Sequence, residues 1–580
     1  MASTLLLLWG KNDDGQLGSR LSPCASPPPI TRSQEKLHEA GETSTASATK
    51  PMMSTMISTA GSSCTDAWAW TGEPCRALSG LAVLQVSCGS RHTLAVVEGG
   101  VAYSWGWGAC GQLGHGDDHG MGSPKEIEAL TRGGPTGNED LGPVTWVSAG
   151  GIHSAAVVGK NVYTWGGSSY GQLGLGPAVT TLAMQALPGK VMLSKTESPI
   201  GSPRGANSSS NPGPTGLTRH SSMTQKAAVL AMETAPKTEL LAKVVACGGM
   251  HTAALTDDGV VFCWGRADSG QLGIGTEWVH ETSSGVMGVE WPRRVRGLLE
   301  ARRTASIACG GFHTAAVTTD GECYTWGKED FGMLGCSNEA LLKGGLFMPH
   351  LVTLHDPMAE ARSAPTEEGG STAASPPQKV KAVACGGWHT AVVGEKGGVW
   401  TCGRGEYGRL GLGDKKSQWL LTPVPLEGGP SVASRVTTAA AASAGPASEV
   451  LGGEAAAGPP AALLPPAANS NGDGTADGLG RGASPPVTRL GGGPAVRTTD
   501  PASMVALGGS HSLVMTSSGR VFGFGRQEDG RLGANGESEQ LETGRAFPTE
   551  ISSLQLEGWR VHSISAGGVH SAAILTRQPE

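Results

Sequence analysis

Seven histidines occupy one recurring place in this 580-residue chain: His92, His153, His251, His313, His389, His511 and His570, each followed by Ser or Thr. An imidazole beside a hydroxyl is the pairing that lends a base to a nucleophile. Cys88, Cys247, Cys309 and Cys385 lie four residues before four of these histidines, a spacing that invites a metal reading. Both chemistries require convergence. Zinc gathers about four ligands at ~2.0–2.3 Å, and catalysis needs nucleophile, base and oxyanion donors around one reacting atom. Here each His falls in its own block, and Ala149, Leu507 and Ala566 fill the Cys slot in the other three. The histidines read as parts that build each block, partly buried and bonded to nearby backbone with the following hydroxyl assisting. The cysteines read as small buried strand positions. No catalytic residue, metal ligand or cofactor is expected, and no enzyme.

The elements that carry these histidines are strands. A second anchor in each block is Trp9, Trp105, Trp165, Trp264 or Trp326, with Cys402 and Phe524 in the remaining two, each six residues before a Gly-x-Leu-Gly. The gap from His to this anchor is 13 residues in five blocks and 12 in that of His153 and Trp165, so insertions fall between blocks and not within them. In Val260-Val261-Phe262-Cys263-Trp264 large residues recur at every second position, the period of one sheet face. Asp257-Asp258-Gly259, Asp320-Gly321, Gly397-Gly398 and Ser518-Gly519 sit between the two halves as hairpin turns. A unit of about 60 residues of short strands cannot bury its own apolar face, and seven of them arranged radially make a propeller. The expected fold is all-β: a single seven-bladed β-propeller over residues 5–576. Met1 leads directly into a second half-block (Trp9 to Gly18) and the last half-block ends at Thr576, so the two terminal segments are expected to share one blade and leave no sheet edge open. The five tryptophans should wedge between adjacent blades.

Composition narrows the functional classes. The formal net charge is −7 and 16% of residues are charged, so no basic field exists to neutralise a phosphate backbone, and direct nucleic-acid binding is not expected. No run approaches the ~18 apolar residues of a membrane helix, and Leu5 to Leu8 lack a basic lead-in, so neither a membrane span nor a signal segment is expected. A cytoplasmic, or alternatively nuclear, monomer with reduced thiols is the expectation. Gly reaches 90 residues, split between repeat turns and the segments 19–75, 184–240, 336–378 and 427–500. These segments are rich in Ser, Thr, Ala, Pro and Gly, and are expected to be flexible or low-complexity insertions. Trp68 and Trp70 mark a docking stretch within the first.

Gly-Gly-x-His-Thr, Trp-Gly and Gly-Gln-Leu-Gly at this period resemble the regulator of chromosome condensation family, whose fold is a seven-bladed propeller closed by mixed terminal strands. The resemblance implies several functions, because the family includes the exchange factor for the GTPase Ran, a plant UV-B photoreceptor, ciliary scaffolds and propellers attached to ubiquitin ligases. The exchange factor places acids before two of its repeat histidines, where this chain has Gly151-Ile152 and Gly249-Met250, and a protruding wedge where this chain has Gly167-Ser168-Ser169-Tyr170. The photoreceptor needs several Trp before its repeat histidines, where this chain has Arg91, Ile152, Met250, Phe312, Trp388, Ser510 and Val569. Residues 385–413 resemble the exchange factor's sixth blade, in which the His matching His389 faces the GTPase. The expected function is a non-enzymatic scaffold that binds protein partners through its loop faces, with His389, Trp388, Trp68 and Trp70 as candidate contacts. The alternative is a guanine-nucleotide exchange factor for a Ran-like or other small GTPase.

Overall fold

The computed structural model describes residues 3–18, 68–131, 141–194, 240–336, 347–354, 378–426, 500–533 and 543–579. The strands fall into seven separate antiparallel sheets. Blade 1 comprises Val83–Cys88, His92–Val97, Val101–Gly106 and Met121–Glu126. Blade 2 comprises Val144–Ala149, His153–Val158, Asn161–Gly167 and Met184–Val191. Blade 3 holds Ala242–Cys247, His251–Thr256, Val261–Arg266 and Met287–Arg294, with His280–Glu281 added outside. Blade 4 is Thr304–Cys309, His313–Thr318, Cys323–Gly327 and His350–Val352. Blade 5 is Val380–Cys385, His389–Gly394, Val399–Gly403 and Gln418–Pro423. Blade 6 is Ala502–Leu507, His511–Thr516, Val521–Arg526 and Gly544–Glu550. In blade 7, Trp559–Ala566 and His570–Arg577 are followed by Thr4–Lys11 and Trp68–Pro74. Thr4–Lys11 pairs with His570–Arg577 from Thr4↔Thr576 to Gly10↔His570, and with Trp68–Pro74 on its other side.

The insertions begin or end differently from their expected bounds. Trp68–Pro74, Met184–Val191 and His350–Val352, assigned above to flexible insertions, are outer strands of blades 7, 2 and 4. Trp68 and Trp70 therefore belong to a paired strand and not to a docking loop. Outer strands face solvent on one side and carry Pro and Gly, as in Met-Gly-Ser-Pro-Lys-Glu of blade 1, so they lack the alternation that betrays a strand in sequence. Residues 19–67, 195–239, 337–346 and 355–377 of those segments, and 427–499, lie outside the described residues.

The core is divided among the blade interfaces. Trp264 of blade 3 packs with Val162 and Val191 of blade 2 and with Val245 and Phe262 of its own sheet, and six comparable clusters join the other neighbouring pairs. All five anchor tryptophans and Phe524 are fully buried. In blade 5, where the slot holds Cys402, both Cys402 and Trp400 belong to the core shared with blade 4.

Two glycine positions are fixed by backbone contacts. The Gly of each Trp-Gly opposes the His of the neighbouring strand; Gly265 has φ +105°, and a Cβ there would lie 2.7 Å from the Met250 carbonyl oxygen. Gly265→Ala is expected to cost about 2 kcal/mol or more in urea unfolding, and a midpoint equal to wild type would refute the constraint. The first Gly of Gly-Gly approaches the next blade: a Cβ on Gly248 would sit 2.6 Å from the Gly310 carbonyl. This closeness allows a ring of seven amide-to-carbonyl bonds around the axis, from Ser90 N–H to Gly150 O through to Gly568 N–H to Gly89 O, all at 3.0–3.1 Å.

A second ring lies beneath it. The repeat histidines are fully buried, more deeply than the sequence reading expected, and they bond across blades and not to local backbone. Each Nε2 meets the hydroxyl that follows the next blade's histidine: His92 to Ser154, His153 to Thr252, His251 to Thr314, His313 to Thr390, His389 to Ser512, His511 to Ser571 and His570 to Thr93, at 2.8–2.9 Å. Each hydroxyl in turn donates to a carbonyl of the Gly-x-Leu-Gly loop, for example Thr252 to Gln172 O at 2.7 Å. With its single proton committed there, the hydroxyl must accept from the imidazole, which fixes the Nε2–H tautomer. The indole N–H groups of Trp9, Trp105, Trp165 and Trp264 donate to the same loop carbonyls at 2.9–3.0 Å. Burial pushes the imidazoles down, to about 3 for His92, His251 and His570 and about 4 for His153 and His313. Such neutral, enclosed rings serve as structural donors.

Candidate functional site

The loops that leave the Trp-Gly strands differ between two sectors of the ring. In the loops after blades 7, 1, 2 and 3 the repeat has Gln16, Gln112, Gln172 and Gln271. The Oε1 of each accepts the N–H two residues upstream, from Asp14, Cys110, Tyr170 and Ser269, at 2.8–2.9 Å. The loops of blades 4, 5 and 6 have Met333, Arg409 and Arg531 in that place. Without the amide cap these three loops take a short 3₁₀ turn, and the residue two positions upstream, Phe331, Tyr407 or Asp529, goes left-handed with φ of 60–63°. Non-Gly residues in this region are uncommon, and three at one repeat position mark a built feature.

The altered loops assemble an aromatic patch. Trp388, immediately before His389, packs 5.0 Å from Phe312 of blade 4 and edge-on at 6.0 Å from Phe331, and rests against Met333. Phe331 is 39% exposed, which is high for so large an apolar ring. Cations edge the patch: Lys328 lies over Phe312 and Trp388, Arg266 over Phe312 and Tyr170, Arg404 over Phe331 and Arg526 over Tyr407, at 5.0–5.4 Å except for the closer Arg404 contact at 4.9 Å. The residue after Trp-Gly (Cys-Gly in blade 5, Phe-Gly in blade 6) supplies these cations, and each pairs with an acid two positions on: Lys11 with Asp13, Arg266 with Asp268, Lys328 with Asp330, Arg404 with Glu406 and Arg526 with Glu528.

Of the candidate contacts, His389 is excluded from any partner by complete burial, because its ring is one link of the inter-blade belt. Trp388 lies on the face. Phe331, Tyr407, Arg409 and Arg531 were missed by the sequence reading, although the change from Gly-Gln-Leu-Gly to Gly-Met-Leu-Gly and Gly-Arg-Leu-Gly was visible there. Among the described residues no cluster of His, Cys, Asp or Glu is arranged to hold a metal ion. The Cys88 and Cys309 thiols are pushed up to about 12 by burial and stay protonated.

Seven radial antiparallel units, six of four strands and one with a fifth added outside, joined by closed hydrogen-bond rings, define a seven-bladed β-propeller with a decorated loop face. The chain belongs to the regulator of chromosome condensation family: more than half of it matches the RCC1 repeat, over residues 99–157, 161–200, 258–317, 320–393, 396–444 and 518–574. The ultraviolet-B receptor UVR8 of Arabidopsis thaliana is 29% identical over 483 residues, covering 82% of this chain and 83% of the receptor. The E3 ubiquitin-protein ligase HERC2 of Homo sapiens is 32% identical over 321 residues, covering 53% of this chain but 6% of the ligase. Among solved structures, human WBSCR16 superposes with a TM-score of 0.57 at 17% identity over 99% of each chain. Prp20p of Saccharomyces cerevisiae gives the same score and identity over 100% of this chain and 93% of its own. These two likenesses establish the fold.

Proposed function

We propose that this chain is a non-enzymatic propeller that binds a protein partner through the face formed by the loops of blades 3 to 6. The observation that carries the reading is the half-exposed cluster of Phe312, Phe331 and Trp388 edged by Lys328 and Arg404. Aromatic and Arg side chains on a rigid frame are the groups that dominate binding energy at protein interfaces, since they bury large area at low entropic cost. The two hydrogen-bonded rings beneath supply that rigidity.

The double variant Trp388→Ala/Phe331→Ala is expected to keep the wild-type thermal midpoint to within a few degrees and to weaken partner binding at least tenfold. Proximity labelling in cells with the wild-type chain and the variant reads this directly. Labelled sets that coincide would refute the proposal. Prp20p, which shares the fold, has binding properties to Gsp1p and histones, and a Ran-like GTPase is accordingly the first purified partner to try. Acceleration of its GDP release by tenfold or more would assign nucleotide exchange to the face in place of simple binding.

A further inference from the structure

Beside the aromatic patch, at the mouth of the axial ring, lies an open cavity of about 450 Å³, within the ~300–1,000 Å³ range of clefts that hold ligands. Gly509 and Gly568 of the glycine ring and Ser510 line its floor, and Trp388 forms one wall. Five cations line it, Lys11, Arg404, Arg409, Arg526 and Arg531; four have a close acid, Lys11 with Asp13, Arg404 with Glu406, Arg526 with Glu528 and Arg531 with Asp529, which leaves Arg409 as the charge without one.

Two of those cations are unusual. Arg409 and Arg531 are each 2% exposed and stand where four other blades have a neutral Gln. Arg531 is well held: Nη2 pairs with Asp529 at 2.6 Å, while Nη1 donates to Ser510 Oγ and Gly568 O at 3.3 Å. Arg409 is held by carbonyls, Nε donating to Glu406 O at 2.9 Å and Nη1 to Gly509 O at 3.2 Å. Its one ion pair among the described residues is a 3.7 Å approach to Glu406, whose carboxylate Arg404 already engages at 2.5 Å. Burying a cation is costly unless an anion answers it, and burial here pulls the Arg409 guanidinium down to about 10. The fold maintains this cost in two adjacent blades, both at one cavity.

We propose that this cavity receives a carboxylate-rich segment of the partner protein, with an Asp or Glu side chain meeting Arg409 and a neighbouring apolar side chain lying on Trp388. Charge-assisted bonds from a guanidinium favour a carboxylate over a neutral acceptor, and the unanswered charge of Arg409 selects an acidic segment over a basic one. The proposal rests on the protein-binding reading of this face and adds the chemistry of what it binds.

Fluorescence anisotropy with the full chain and a short labelled peptide of alternating Glu and Leu tests it, with a Lys-Leu peptide as control. The Glu peptide is expected to bind at least tenfold more tightly than the control, and to weaken as salt rises. Arg409→Gln/Arg531→Gln should lose at least tenfold of that affinity. It restores the residue found in four blades and leaves the backbone acceptors of the belt in place, so it should fold. Should it melt early, Arg404→Ala, which releases Glu406 to answer Arg409 in place of the peptide, should weaken the same contact. Equal binding of the two peptides, unchanged binding by the Arg variants, or displacement of the Glu peptide by millimolar inorganic phosphate would each overturn the assignment. If the peptide fails while Trp388→Ala/Phe331→Ala still loses its labelled partners, the carboxylate chemistry is wrong and the binding face stands.

Discussion

Acidification from pH 7.5 to 5.5 is expected to remove about 9 kcal/mol of the propeller's stability and to lower its thermal midpoint by about 10 °C. The seven belt histidines are fully buried and held as neutral donors: burial lowers His92, His153, His251, His313 and His570 to about 3 to 4 and His389 and His511 well below the ordinary range. In the unfolded chain they titrate near 6.5. The unfolded state therefore takes up protons in a window where the native state takes up none. The stabilisation is complete above about 6.5 and is lost as pH falls toward the native values, at up to about 1.4 kcal/mol per histidine per pH unit. Seven groups act together because the belt is closed, and the sum rivals the ~5–15 kcal/mol that holds most domains folded. Calorimetry across this range would show a steep, cooperative fall. A midpoint that moves by less than two degrees would mean that the belt is not neutral in the native state.

Trp264→Ala is expected to cost about 3–5 kcal/mol. The indole is fully buried between blades 2 and 3, and its Nε1 donates to Gln172 O at 2.9 Å. Truncation leaves a cavity lined by two different sheets, which cannot close without moving one blade against the other and straining both rings. Trp264→Phe should cost about 1–2 kcal/mol, since Phe524 fills the same slot in blade 6 with no N–H to donate. Urea unfolding of both variants measures the difference. Equal losses for Ala and Phe would show that the hydrogen bond, and not the wedge, is what matters.

The repeat was legible because its constraints are local and recur. Gly265 must be Gly because its φ is positive and a histidine backbone lies against it, and the same demand repeats in every blade. In Val261–Arg266 both faces are core, Phe262 and Trp264 toward blade 2 and Val261 and Cys263 toward blade 4, and the larger rings recur on one of them. Trp68–Pro74 and His350–Val352 were misplaced because an outer strand, half in solvent, places no such demand on its side chains.

By itself the sequence determined seven blocks, their hairpins and the wedge tryptophans, since periodicity and turn chemistry act over a few residues. Only the tertiary structure decided who meets whom between blocks. It showed that each His bonds to the next blade's hydroxyl, 62 residues away for His92 and 123 for His389, and so cannot touch a partner. It also showed that Phe312, Phe331 and Trp388 form one patch and that Arg409 and Arg531 share one cavity. Such contacts depend on how blades pack around the axis, and no spacing along the chain encodes that distance.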